Sequence, residues 1–379
     1  MARVALRLGD VVLLTTTDAR GRDEFNVYLA DLSLTVEERL SSIDQPTKDL
    51  VAAVADTCRR VGDVKHIVFM DADNALKTWW IAAIGAFKGL DRRPKVSFFL
   101  TRWSSSLAWA GLKDLYYLKI RSAKIVLVLL ARLTRTVDRC SGFAGRDVTS
   151  PGWPVRNVRD PAICSARSTD RSRLRTELSL PHDRKLVGIF GGINVRKYPP
   201  LALDAVLAAD DDADLLLAGP FDADARSWLD ALEPAHRQRV LVVDRFLSNA
   251  DLDRMLAASD VVLLLMRLEG PSGIMGKAMV ADVPVVTAGS GSRARELETL
   301  HRGAATESEV ASLAKGLHRV LNSSEGRRPR TMELPTADTF GAAVLGLDGA
   351  DPVVRRRRWG RRSGQAVQDD ESATTGVPR

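Results

Sequence analysis

Two stretches of the 379-residue sequence hold residue types suited to an anionic ligand. The first is Phe190-Gly191-Gly192-Ile193-Asn194-Val195-Arg196-Lys197, directly after an apolar run. Glycine lacks a Cβ and lets a ligand approach the backbone closely. Ligands of open α/β sheets sit at the C-terminal ends of strands. Arg196 offers a planar fork and Lys197 a point charge, a pair that suits a diphosphate. A tight turn with a solvated charge pair is the plainer alternative. The second stretch is Arg267-Leu268-Glu269-Gly270-Pro271-Ser272-Gly273-Ile274-Met275-Gly276-Lys277-Ala278-Met279, after the run Val261–Leu265. A small-residue loop opening a helix exposes backbone N–H groups and the positive end of the helix dipole. Glu269, just before that loop, could hydrogen-bond sugar hydroxyls, and Lys277 lies about one turn into the helix. An ordinary loop with an N-terminal acid is the alternative here.

The elements that must hold these loops read clearly. Strands are predicted at Val11–Thr15, His66–Met70, Lys95–Leu100, Ile125–Leu130, Leu186–Phe190, Asp214–Ala218, Val240–Val243, Val261–Leu265 and Pro284–Thr287. Most are short, wholly apolar and bounded by Gly, Pro, Asp or Ser, as buried parallel strands are. Helices are predicted at Thr47–Arg60, Leu201–Ala209, Ala223–Leu232, Ala250–Ala258 and Glu307–Leu321. Strands separated by helices imply βαβ units and a doubly wound α/β sheet. The Pro-, Ser- and Arg-rich stretch Thr149–Arg173 is expected to link two domains, 1–165 and 166–335. A C-terminal helix is expected within 336–348, followed by a disordered basic tail at 349–379.

In order and spacing, several weak signals combine. They run Gly191-Gly192…Arg196-Lys197, Ala218-Gly219-Pro220, Asp244-Arg245-Phe246-Leu247, Leu256-Ala257-Ala258-Ser259-Asp260-Val261, Glu269-Gly270, Lys277-Ala278-Met279 and Pro284-Val285-Val286. Over about 120 residues this resembles the nucleotide-binding half of retaining glycosyltransferase family 4. The resemblance implies GT-B architecture: two Rossmann-like domains with parallel sheets facing a central cleft. It implies metal-independent transfer of a sugar from a nucleoside diphosphate to an acceptor hydroxyl, with retention. No cofactor is expected beyond the donor substrate. By position, Gly191, Gly192, Arg196, Lys197, Ser272, Gly273, Ile274 and Lys277 would serve the diphosphate side. Glu269 would touch the donor sugar, and Gly219, Phe246 and Leu247 would lie toward the base. Two positions depart from the family. It commonly carries a ribose-binding glutamate where this chain has Lys277, and a lysine accepts no hydrogen bond. The usual diphosphate-binding arginine is replaced by Ile193. These departures keep open a second reading, a catalytically weak or inactive GT-B-like binding protein.

The N-terminal half is less informative. Met1–Leu8 reads as the end of a first helix preceding a second strand, so a missing opening strand and an upstream start are expected. Asp71-Ala72-Asp73 follows a strand, as does the metal site of the other glycosyltransferase architecture, GT-A. The preferred reading sets Asp71, Asp73 and Arg102 on the acceptor side of the cleft. The family's histidine after a central strand is absent, and His66 reads as structural. Leu107–Arg135 mixes Trp109, Tyr116 and Tyr117 with Lys113, Lys119, Arg121, Lys124, Arg132 and Arg135. Such a surface could rest on an anionic membrane, or it could be core helices with solvated cations. The acceptor would be a glycan, a lipid-linked glycan or a small molecule.

Composition fits these readings. At 45% hydrophobic and 27% charged, the sequence is that of an ordinary globular protein. Cys58, Cys140 and Cys164 have no paired spacing and are expected to be reduced thiols, which points to the cytoplasm. Of the net charge of +7, +4 lies after Val353, with Arg355–Arg358 at its centre, so no nucleic-acid partner is implied.

Overall fold

The computed structural model describes residues 1–21, 25, 26, 29–42, 45–103, 112–266, 269–322 and 333–347. Arg267, Leu268, Trp109, the tail at 349–379 and the side chains of Lys113, Tyr116 and Tyr117 lie outside that set.

The N-terminal domain opens with α1 (Ala2–Leu6) and β1 (Val12–Thr16), which pairs in parallel with β2 (Thr35–Leu40). A separate parallel sheet runs in the order β3 (His66–Phe69), β4 (Lys95–Leu100), β5 (Arg139–Ala144) and β6 (Arg156–Arg159). Helices α2 (Thr47–Val61), α3 (Leu76–Ala82) and α4 (Leu112–Leu133) accompany it. Trp79, Phe69 and Phe98 pack edge to face in its core, with centroids 4.8–5.3 Å apart.

Ile125–Leu130, predicted as a strand, lies inside α4. A short apolar run does not distinguish a strand from a helix segment, and here the run continues the helix on both sides. The strand of that region is β5, whose Cys140, Gly142 and Ala144 gave no apolar signal. Gly142 is small because Trp103 packs on it: a Cβ there would overlap the indole side chain. The polar strands β2 and β6 were also missed, and β6 falls within the stretch predicted as linker.

The C-terminal domain comprises α5 (Arg171–Glu177), β7 (Lys185–Phe190), α6 (Pro199–Ala209), β8 (Ala213–Ala218), α7 (Ala223–Asp230), α8 (Pro234–Arg237), β9 (Val240–Val243), α9 (Asn249–Ala258), β10 (Val261–Leu265), α10 (Gly273–Ala281), β11 (Val285–Ala288), α11 (Gly291–Leu300), β12 (Gly303–Thr306) and α12 (Val310–Asn322). Its strands form one parallel sheet in the order β12-β11-β10-β7-β8-β9. Numbered within the domain, that is the doubly wound order with the reversal between the first and fourth strands. One face is buried by α6 and α12, through Leu203, Val206, Leu313 and Leu317. The other is buried by α9, α10 and α11, through Leu256, Met279 and Leu297.

The chain crosses between domains twice. The crossings meet where Ala162 N donates to Pro335 O (2.8 Å) and Arg159 Nη2 to Glu333 O (2.7 Å). The last helix, α13 (Ala337–Leu345), returns to the N-terminal domain, where Phe340 and Val344 pack on Phe99 and Val158. Among the described residues, no helix is long and apolar enough to span a membrane.

Candidate functional site

The strand order reverses between β7 and β10, and both sequence motifs leave the C-terminal ends of those two strands. In open α/β sheets, ligands bind at such a switch point, where the connections diverge to opposite faces. The two segments at that point are the 191–198 loop before α6 and residues 269–272 before α10.

Gly191 turns the first loop with φ +76°, and Gly219 at the end of β8 has φ +145°. A Cβ on Gly219 would lie 2.6 Å from Gly191 O, so the two strand ends meet only through glycine. Gly192 faces nearly open space. Ile193 is fully buried: it bridges to Phe221 and fills the core under α6. Its side chain therefore cannot substitute for the arginine that the family places there. Arg196 is exposed, while Lys197 is largely withdrawn from solvent with Nζ donating to Phe190 O. Burial, with Arg196 close by, pushes the Lys197 ammonium down to about 8. The loop thus sets a reluctant cation at the strand end and a solvated one beside it.

In the second loop, Ser272 caps α10 by accepting from Met275 N (3.3 Å). Gly273 has open space where a Cβ would stand, and Ile274 packs against the core beneath. Glu269 turns to the neighbouring helix. It accepts from Gly291 N (2.9 Å), Ser292 N (2.9 Å) and Ser290 Oγ (3.1 Å) at the N-terminus of α11. Desolvation works against its charge, but the bonds from Ser292, Gly291 and Ser290 outweigh it and hold the carboxyl below its ordinary range. Lys277 turns away from the loop. Its Nζ meets Asp253 Oδ1 at 2.6 Å and Ile163 O at 3.3 Å. Asp253 is buried and also accepts from Ser165 N and Oγ. The base-side residues divide: Phe246 is 36% exposed, whereas Leu247 is part of the core.

In the N-terminal domain, Asp71, Asp73 and Arg102 come together at the ends of β3 and β4. Asp73 is buried and accepts from Thr101 Oγ1 (3.2 Å), Arg102 N (2.9 Å) and Lys124 Nζ (2.5 Å). It holds the turn after β4, while Asp71 and the Arg102 side chain face solvent. Among the described residues no group of acids, histidines or cysteines is placed to hold a metal ion. His66 binds Ser97 Oγ at 2.7 Å, as a structural residue does.

Sequence reasoning missed the ion cluster at the domain junction. Arg146, after β5, is fully buried and pairs with Asp160 and with Glu296 of α11 (2.9 Å). Burial pushes both carboxyls up against the pull of Arg146. Nothing in a lone arginine beside a glycine marks it. Asp253 was more legible, since it falls on the apolar face of α9 and an acid there requires a partner.

Comparison with known proteins agrees with this fold. The family model described as Glycosyl transferases group 1 matches residues 184–323. HepE from Anabaena, solved with UDP, aligns over 93% of this chain and 98% of its own at 18% identity and TM-score 0.56. WaaG, a glycosyltransferase involved in lipopolysaccharide biosynthesis, aligns over 92% and 90% at 14% identity and TM-score 0.54. A putative UDP-N-acetylglucosamine 2-epimerase from Listeria monocytogenes aligns over 98% and 95% at 13% identity and TM-score 0.54. No curated protein sequence matches. The chain has the GT-B fold, two Rossmann-like domains with parallel sheets about a cleft.

Proposed function

We propose that this chain is a glycosyltransferase that moves a sugar from a nucleoside-diphosphate sugar to an acceptor hydroxyl with retention. The observation that carries this reading is the convergence of the Gly191–Lys197 loop and the capped N-terminus of α10 on one switch point of the sheet. Arg196, Lys197 and the α10 N–H groups would take up the charge on the departing diphosphate, without a metal ion. Gly192 and Gly273 leave room for the phosphates, Phe246 offers a face to the base, and Glu269 orders the loop under the sugar. Retention is supported by the residue likeness to family 4. Uridine as the base is supported by the HepE complexes with UDP.

The acceptor would enter from the side of Asp71 and Arg102. A lipid-linked acceptor would suit the exposed Leu118, Val126, Leu129 and Leu133 of α4, which would give peripheral contact with a membrane surface.

The alternative, a binding protein with little turnover, is favoured by one feature: Lys277 is committed to Asp253 where the family keeps a free carboxylate. Titration with UDP and GDP, and overnight hydrolysis of UDP- and GDP-sugars, separate the two. Saturable binding with slow release of free sugar is the expected result. Binding without any hydrolysis supports the alternative, and no binding of either nucleotide refutes both.

A further inference from the structure

Met266, Glu269 and Ser272, on the way from β10 into α10, are each fastened. Met266 O accepts from Arg293 Nη2 of α11. Glu269 holds the α11 N-terminus. At the far end, Ser272 O accepts from Arg146 Nη2 at 3.0 Å. The third tie comes from the other domain. The same guanidinium bonds Glu296 of α11 and Asp160, where the chain starts its first crossing. Ser272 O already accepts the first bond of α10, from Gly276 N (3.0 Å). Gly276 leaves space for the guanidinium to reach it: a Cβ there would overlap Arg146 Nη2. The mutual fit of Arg146 and Gly276 shows that the contact is built into the packing.

We infer that Arg146 is a positioning residue, through which the N-terminal domain holds the donor loop in its ligand-ready shape. It stands at the end of β5 and touches the residue that caps α10. The packing of the two domains therefore fixes the N-terminus of α10, the helix proposed to face the phosphates. Separating the domains would break the Arg146–Glu296 ion pair and the Arg146 bond to Ser272 O, so loop order and domain packing are coupled. That the loop serves a diphosphate rests on the proposed function; that Arg146 holds the loop does not.

Two measurements keep these apart. Arg146→Met alone would leave Asp160 and Glu296 buried without a cation. The charge-balanced variant Arg146→Met/Asp160→Asn/Glu296→Gln removes the tie while avoiding that penalty. Hydrogen exchange of the full chain should show the amides of Gly270, Met275 and Gly276 exchanging about tenfold faster, with β7 and β8 unchanged. Gly276→Ala, which keeps Arg146 but displaces it, should do the same although alanine favours a helix. UDP affinity should fall about tenfold in both variants. Unchanged protection of these three amides in either folded variant would overturn the inference. Should the native protein bind no nucleotide, the proposed function fails, and the exchange experiment still decides the role of Arg146.

Discussion

Lys197 should make its own domain less stable than it could be. Its ammonium is pushed down to about 8 from an ordinary 10.5, because it is half-buried beside Arg196 with Phe190 O as its hydrogen-bond acceptor. At about 1.4 kcal/mol per pKa unit, holding that charge costs the fold about 3 kcal/mol at neutral pH. Between about pH 8 and 10.5 the unfolded chain binds more protons than the folded one, so stability should rise with pH over that window. Lys197→Met removes the buried charge and should stabilise the domain by roughly 1–3 kcal/mol, a rise of about 5 °C in unfolding temperature for a domain of this size. A bound diphosphate would reverse the balance by returning the ammonium toward its ordinary range. Its affinity should therefore fall roughly tenfold per pH unit above about pH 8 in the native protein. The variant should bind roughly 10–100-fold more weakly at neutral pH, with no such slope. Thermal unfolding and isothermal titration with UDP across pH 7 to 10 test both arms. A less stable Lys197→Met protein, or a native affinity flat across that window, would refute the reasoning.

The Lys277–Asp253 pair is nearly buried, at 15% and 5% side-chain exposure. Lys277→Glu should therefore destabilise the domain by about 3–5 kcal/mol in urea titration, and adding Asp253→Lys should restore most of the loss. A stable single variant would contradict the burial of the pair. Asp73→Ala should lower stability by about 2–4 kcal/mol, because Lys124, Thr101 and the Arg102 amide lose their acceptor. Donor hydrolysis should meanwhile be unaffected by EDTA or added manganese. A manganese requirement abolished by Asp73→Ala would overturn the structural role given to that residue.

The C-terminal domain was legible because each of its inner strands is a continuous apolar run, and such runs have one use in a doubly wound sheet. The ends of its predicted strands agree with the structure to within one residue. The N-terminal domain hid three strands for three physical reasons. In β5 the run is broken by Gly142, which admits Trp103, in β2 the residues are charged, and β6 is a short polar edge. The shape of the two loops was legible where backbone freedom is local, as at the turn of Gly191 and the helix start after Ser272. It was illegible where a side chain answers to something distant. Glu269 reads as free to meet a ligand until α11 is seen to occupy it. The cation of Lys277 reads as available until Asp253 appears from a helix earlier in the chain. Arg146 acquires meaning only when the two domains are brought together.

The return of α13 to the N-terminal domain bears on how the protein is made. Phe340 and Val344 cover Phe99 and Val158, and Arg7 of the opening segment bonds Asp338 at 2.6 Å. During synthesis the first domain emerges with that patch bare. It stays so while the whole C-terminal domain is translated. The C-terminal domain can close its sheet alone, so the later segment completes its fold before the earlier one. A chain cut between the domains would yield one self-sufficient product and one with an uncovered apolar surface.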